Sequence, residues 1–334
     1  MLAEISSLTT NLDIKIKEKR IINIKKISPS TLIGKGILEE VRDEINSCNI
    51  NLLICNCALS PAQQKNLENF LKIKVTDRVG IIIEIFAKRA LSNEGKLQVE
   101  LAELIYRKSR LVRAWTHLER QRGGTTFIGG PGELQIELDR RLIQGKIISI
   151  KKRLKKVEKR REIQRKSRVR NNFKTFALVG YTNAGKTLLF NKLTKGKQTS
   201  KDVLFQTLDT KISKLSLNQG LQVGLIDTVG FINNIPTQLI ESFKATLEEI
   251  HSADYLINVV DINDMNSKDK IKITKKILRD TGVDEIKLSK MLTVYNKIDI
   301  KHIEGSNLKG KNYVSALTGS GVNELKNLLT NLIN

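Results

Sequence analysis

GYTNAGKT, residues 180–187, is the stretch on which the fold turns. It fits the pattern G-x-x-x-x-G-K-[ST]. An apolar run, KTFALVG (174–180), leads into it, and a helical run, TLLFNKLT (187–194), leads out. Strand, glycine loop and helix are the parts a phosphate chain needs. Gly180 and Gly185 let the backbone curl so that its N–H groups face an anion, with Tyr181, Thr182, Asn183 and Ala184 forming the loop between them. Lys186 places a point charge on the β and γ phosphates, and the Thr187 hydroxyl is a ligand for Mg²⁺. A chance match in a glycine turn is the rival reading, and the flanking strand and helix weigh against it. This motif alone leaves ATP and GTP open.

Three later segments extend the site. Asp227-Thr228-Val229-Gly230 follows the apolar strand LQVGLI. A carboxylate there holds Mg²⁺ through water, and the Gly230 N–H faces the γ-phosphate. Asn296-Lys297-Ile298-Asp299 follows MLTVY and selects the base. Guanine presents N1–H and N2–H₂ on one edge, which Asp299 accepts together; adenine leaves such a carboxylate unpaired, a penalty on the order of 10⁴-fold. Lys297 packs its stem over the base. Ser315-Ala316-Leu317 follows another short strand and offers the Ala316 N–H to guanine O6. The rival reading of each segment is a surface turn, and the shared order and spacing argue against it.

Between the phosphate loop and Asp227 lies LFQTLDTK (204–211), with Phe205, Gln206, Leu208 and Asp209 expected beside the nucleotide. Thr207 is the expected switch threonine, closing on Mg²⁺ and the γ-phosphate only in the triphosphate state, with Thr210 as runner-up. Lys186, Thr207 and Gly230 are the expected catalytic set, and Thr187, Thr207 and Asp227 (through water) the metal set. Phe231 stands where many switch GTPases carry a water-orienting glutamine, so turnover by the isolated chain is expected to be slow. Asn183 has two readings. Its oxygen joins phosphate oxygens around K⁺, or it stabilises its own loop.

The 334 residues divide into three expected regions: 1–95, 96–172 and 173–334. The first alternates NINLLICNCAL, PAQQKNLENFL and RVGIIIEIFA, read as strand, helix and strand of a small parallel α/β subdomain. The second is helical. Leu97, Leu101, Leu104, Leu111, Trp115 and Leu118 form one apolar seam; Ile136, Ile143, Ile147, Ile150, Leu154 and Val157 form another. GGTTFIGGPG (123–132), too rich in glycine to stay helical, separates them and makes an antiparallel hairpin. The third region alternates strand and helix as a doubly wound α/β domain. The fold class is therefore α/β: a P-loop GTPase domain preceded by a small α/β subdomain and a long antiparallel helical hairpin.

No run approaches the ~20 apolar residues of a membrane span, and MLAEISSLTT lacks a secretory pattern. A cytoplasmic protein without stable membrane insertion is the expectation. Cys55 and Cys57 sit in LLICNC, read as a buried strand. With Cys48 they make an odd, low count that fits plain buried thiols better than a metal site or disulfide framework. The formal charge is +23. It concentrates in KKRLKKVEKRREIQRKSRVR (151–170), where twelve Lys/Arg face only Glu158 and Glu162. One reading is a solvated helix face. The other is a salt-sensitive contact with phosphate backbones, favoured because the run is so one-signed. Scarce aromatics point to structured RNA rather than stacked single strands. The glycine loop, flanked by Arg120 and Arg122, is either a flexible turn or a tip inserting into RNA.

Together these segments resemble the HflX family of ribosome-associated GTPases (TRAFAC class, Obg/HflX-like). The carriers are GYTNAGKT, IDTVGFINNIPTQLIESFKATLEEI and NKID, and upstream LSPAQQKNLE, DRVGIIIEIFAKRA, GKLQVELAEL, GGPGE and LDRR. The likeness covers nearly the whole chain. It implies GTP hydrolysis with Mg²⁺, stimulation by the ribosome, binding to the large ribosomal subunit and its RNA, and splitting of ribosomes stalled under stress. A monomer off the ribosome is expected. Two alternatives are an assembly GTPase that gates RNA affinity and a GTPase on anionic membrane surfaces. Many members run on into a further C-terminal domain, whereas this sequence ends at the helix after Ser315, so any contact made by that domain is expected to be missing. Asp209 is followed by Thr210 where the family often has Pro-Thr, and the loop tip differs slightly from the common glycine pattern.

Overall fold

The structure, a computed structural model, describes residues 2–113, 131–194, 196, 204–205, 207–232, 244–300 and 312–333. It divides into two compact units: 1–88 with 97–154, and 89–96 with 155–334.

In the first unit, α1 (Leu2–Thr10) and α2 (Lys35–Ser47) precede β1 (Leu52–Cys55), α3 (Pro61–Leu71) and β2 (Lys74–Asp77). β1 and β2 pair in parallel, Leu52 opposite Lys74. The entry to α3 is set locally. Ser60 caps it in a reciprocal box with Gln63, and Pro61 occupies the first turn, where its missing N–H is no loss. Leu38, Val41, Ile45, Leu67, Leu71 and Val75 form the core.

Two expectations change here. RVGIIIEIFA is not a strand but α4 (Arg78–Arg89), and the strand is the preceding KVTD. Val79, Ile81, Ile82, Ile83, Ile85 and Phe86 are all buried, and within the run only Glu84 and Ala87 are exposed, so a single charged residue marks its solvent side. The cysteines are not plain buried thiols. β1 is only half-buried, and Cys48 and Cys57 are exposed. Cys55 is the partly covered one, and burial pushes its thiol up to about 12.

α5 (Asn93–Arg113) and α6 (Pro131–Arg170) carry the two seams. Within the first unit, Leu97, Leu101 and Leu104 pack on Ile147 and Ile150. Lys108 donates to Gln144 (2.6 Å), which fixes the antiparallel register. α6 runs through Gly145 without a break. Trp115, Leu118 and the loop tip 123–130, with Arg120 and Arg122, lie outside the described residues.

The second unit centres on a six-stranded sheet of β3 (Thr175–Val179), β4 (Lys211–Ser216), β5 (Gln222–Asp227), β6 (Tyr255–Asp261), β7 (Leu292–Asn296) and β8 (Asn312–Tyr313). The order is β4-β5-β3-β6-β7-β8, with only the β4–β5 pair antiparallel. β3 is buried on both faces, as a central parallel strand must be. Phe176 and Leu178 face the core of α7 (Lys186–Thr194) and α11 (Val322–Ile333). Ala177 and Val179 face the core of α8 (Lys244–Ser252), α9 (Ser267–Asp280) and α10 (Glu285–Ser289). Helices thus cover both faces, and the carboxyl ends of β3, β5, β6 and β7 line one edge, where ligands bind in such sheets.

Candidate functional site

The phosphate loop hangs between β3 and α7. Gly180 (φ 138°) and Gly185 (φ 87°) take conformations that side chains avoid. Packing demands glycine there as well: a Cβ on Gly180 would overlap the Val259 carbonyl, and one on Gly185 the Asn296 amide. Lys186 is buried, with Nζ donating to the carbonyls of Gly180 (3.1 Å) and Tyr181 (2.8 Å). Burial pulls its ammonium down to about 8, against the opposing pull of Asp227. Asn183 is exposed in left-handed backbone (φ 63°), and its side chain makes no hydrogen bond to a described residue.

Thr187, Thr207 and Asp227 come together from a helix start, a loop and a strand end. Thr187 Oγ1 and Thr207 Oγ1 lie 2.5 Å apart. Both donate to Asp227 Oδ2, at 2.9 and 2.8 Å. Asp227 is fully buried, and its Oδ1 has no hydrogen-bond partner among the described residues. Burial pushes its carboxyl up, against the two hydroxyls and Lys186. An orphaned carboxylate oxygen beside two hydroxyls is a hard-oxygen donor set of the kind Mg²⁺ takes. Thr210 is elsewhere, accepting from Arg161 (3.1 Å).

Downstream, Thr228 is an internal brace: its hydroxyl donates to the Leu178 carbonyl (2.5 Å). Gly230 passes close to Thr182, and a Cβ would crowd it at 2.8 Å. Phe231 is buried in the α8/α9 core. Its backbone is strapped to the phosphate loop, with Phe231 N–H donating to Gly180 (3.0 Å) and Thr182 N–H to Phe231 (2.8 Å). The position therefore does more than lack a glutamine. Its side chain belongs to the core.

On the base side, Asn296 bridges three segments. Its Nδ2 donates to the Ala184 carbonyl (2.9 Å), and its Oδ1 accepts from the Ala316 N–H (2.9 Å). The N–H expected to meet guanine O6 is thus engaged by Asn296. Asp299 is half-buried and accepts from Ser315 Oγ (2.5 Å). Lys297 pairs with Asp261 (2.9 Å), and Ile298 follows it in the same loop; Leu317 is exposed.

The expected contact residues of the 204–211 segment scatter. Phe205 and Leu208 are buried, Val229 is half-buried, and Gln206 lies outside the described residues. Asp209 turns away from the loop toward Leu91 and Ser92. Sequence reasoning did not find that contact, nor the Lys297–Asp261 pair. Each joins residues far apart in the chain, and neither carries a local signature. The basic run is also divided. Arg161, Arg165 and Arg168, one stripe at helical spacing, pair with Glu94, Glu248 and Glu249. The other nine basic residues of 151–170 are exposed.

This geometry can be set beside known proteins. Family models match in succession: GTP-binding GTPase N-terminal over residues 1–87, GTP-binding GTPase Middle Region over 89–168, and 50S ribosome-binding GTPase over 175–297. GTPase HflX of Magnetococcus marinus is 46% identical across 97% of this chain and 76% of its own. The chain belongs to the HflX family of GTPases. GTPase HflX of Escherichia coli is 39% identical across 98% of this chain and 78% of its own. The crystal structure of SsGBP with GDP superposes at TM-score 0.53 and 26% identity, covering 98% of this chain and 94% of that one. As an HflX GTPase, the chain converts GTP and water to GDP and phosphate on a P-loop domain. Among the described residues, no helix is long and apolar enough to cross a membrane.

Proposed function

We propose that the chain is a GTP-driven switch of the large ribosomal subunit, slow by itself and accelerated on the ribosome, acting on ribosomes stalled under stress. The observation that carries the switch is the meeting of Thr207 with Thr187 and Asp227. The 180–187 loop and Lys186 hold the phosphates, with Gly230 N–H toward the γ-phosphate. Asp299, steadied by Ser315, reads guanine, while Asn296, Lys297 and Ala316 build the base pocket. Thr187 and Thr207 would hold Mg²⁺ directly, and Asp227 through water. Bound there, the ion neutralises charge on the β and γ oxygens.

Lys186 gains on binding what it lacks alone. A buried ammonium whose hydrogen bonds among the described residues go to two carbonyls is completed by phosphate oxygens. Thr207 reports the γ-phosphate in this reading, because the triphosphate adds a partner that holds it on the cluster. Phe231, held in the core, orients no water with its side chain, so the water-orienting group comes from outside, while K⁺ held by Asn183 would add charge where an arginine is missing. The exposed face of α6 supports RNA as the docking surface, and the name of the matched 50S ribosome-binding model supports the ribosome as its bearer. The cytoplasm and a monomer off the ribosome complete the reading.

Co-sedimentation with large subunits tests this, using GDP and a non-hydrolysable GTP analogue at two salt concentrations. The expected result is analogue-dependent binding that weakens with salt. Equal binding in both nucleotide states would remove the switch, and equally tight binding to naked RNA would favour an assembly factor. Binding to anionic vesicles but not to subunits would favour a membrane-surface GTPase.

A further inference from the structure

Asp209 lies two residues beyond Thr207, yet its carboxylate is committed elsewhere. Oδ2 accepts from the N–H groups of Leu91 (3.1 Å) and Ser92 (2.9 Å), and Oδ1 from Ser92 Oγ (2.5 Å). These donors sit at the entry to α5, where a helix start leaves N–H groups without partners of its own. Ser92 is the cap of that helix, its Oγ accepting from Gly95 N–H (2.8 Å). Gly95 is buried, and a Cβ there would overlap Asp209 Oδ1. The neighbouring Thr210 is tied down too. Arg161 donates to its hydroxyl (3.1 Å) and pairs with Glu94 (2.8 Å), both partners being largely covered.

The segment carrying Thr207 is therefore fastened just past that threonine, on a helix start and on α6. Fastening a loop removes conformational freedom that ligand binding would otherwise have to remove. Thr207 Oγ1 is held 2.8 Å from Asp227 Oδ2 with that fastening made. We propose that Asp209 is a positioning residue for GTP hydrolysis, holding Thr207 at the Thr187–Asp227 cluster by docking on Leu91, Ser92 and Gly95. The proposal rests on the reading of Thr207 as the threonine that closes on the γ-phosphate and Mg²⁺. It makes the first turn of α5 part of the switch. Triphosphate binding depends on the latch, and diphosphate binding does not.

The test uses the full chain with Asp209→Ala, Asp209→Asn, Gly95→Ala, Thr207→Ala and the Asp209→Ala/Thr207→Ala pair. Affinities for fluorescent GDP and for a fluorescent non-hydrolysable GTP analogue are measured with and without Mg²⁺, alongside single-turnover GTP cleavage and melting temperature. Gly95→Ala breaks the latch from the far side while improving helix propensity, so folding is not the confounder. Asp209→Ala and Gly95→Ala should each lose about tenfold in Mg²⁺-dependent analogue affinity and in cleavage, the loss of a charged hydrogen-bond set. GDP affinity should stay within about twofold, by the same arithmetic. Asp209→Asn, which keeps one acceptor oxygen, should fall between. Asp209→Ala should add little to Thr207→Ala, because the two act through one group. Equal loss of GDP and analogue binding, or a melting temperature that falls in step with activity, makes Asp209 a structural residue and overturns the proposal. So does an unchanged Asp209→Ala beside an impaired Thr207→Ala. An unimpaired Thr207→Ala instead overturns the reading of Thr207 and the latch with it.

Discussion

Two buried aspartates end parallel strands in the two units, and their surroundings differ completely. Asp77, at the end of β2, is 1% exposed and accepts from Leu59 N–H (3.2 Å), Gly80 N–H (2.9 Å), Tyr106 Oη (2.8 Å) and Arg110 (2.7 Å). Arg110 also lies over the Tyr106 ring and donates to Gln64. Asp227, at the end of β5, is equally buried, but its Oδ1 has no hydrogen-bond partner among the described residues, and burial pulls the ammonium of Lys186, which acts on it electrostatically, down to about 8. A buried carboxylate with every lone pair answered is a brace. One left half-answered beside an under-solvated lysine is a ligand site, because only a ligand repays the desolvation. Burial alone does not separate the two; satisfaction does.

The contrast can be broken experimentally. The largest effect belongs to Asp299, proposed above to read guanine. Asp299→Asn should erase most of a guanine-over-adenine preference on the order of 10⁴, read by competition binding. An intact preference would take Asp299 out of base reading. Next come the two cations. Lys186→Met should cut hydrolysis on the order of 10²-fold to 10³-fold, yet leave the nucleotide-free protein as stable or more so, since an ill-satisfied buried charge is removed. Arg110→Met should do the reverse, costing about 3 kcal/mol or more in unfolding experiments by leaving Asp77 with one partner fewer, with nucleotide affinity unchanged. Were Lys186→Met to destabilise as much as Arg110→Met, the two clusters would be of one kind.

The same distinction divides α6. Arg168 answers the buried Glu249 (2.9 Å), whereas Lys156 and Lys159 are exposed. Replacing Lys156 and Lys159 by alanine should lower the salt dependence of ribosome binding by about one unit of slope each and leave the melting temperature alone. Arg168→Ala should lower the melting temperature and barely move the slope. The smallest effect is a labelling rate. Cys55, with its thiol held up to about 12 by burial, should alkylate far more slowly at pH 8 than exposed Cys48. Equal rates would show the first unit to be more open at β1 than its packing implies.

What could be read from the chain follows the same line. The motifs proposed to hold the nucleotide stand out in the sequence because each is a short window in which residue type suggests a chemistry: glycine for close approach, lysine for phosphate, aspartate for guanine. Thr207 was picked the same way, and the structure brings its hydroxyl to Asp227. Long-range commitments were not legible. Asp209 looked like a nucleotide neighbour, but its donors lie over a hundred residues earlier. Arg161, Arg165 and Arg168 looked like part of a uniform basic face until Glu94, Glu248 and Glu249 met them. RVGIIIEIFA misled because its exposed positions are only Glu84 and Ala87, and one charged residue in so apolar a run is too little to mark a helical period. Phe231 was seen as a missing glutamine, while its place in the core appeared only with the fold.

This site is proposed to be complete for binding and incomplete for fast hydrolysis. Single-turnover GTP cleavage by the full chain, alone and with excess large ribosomal subunits at one low salt concentration, tests it most directly. Slow cleavage alone is expected, with an acceleration of at least about 100-fold on the subunit, of the size a donated catalytic group supplies. Fast cleavage by the isolated chain, or a rate the subunit leaves unchanged, would contradict it.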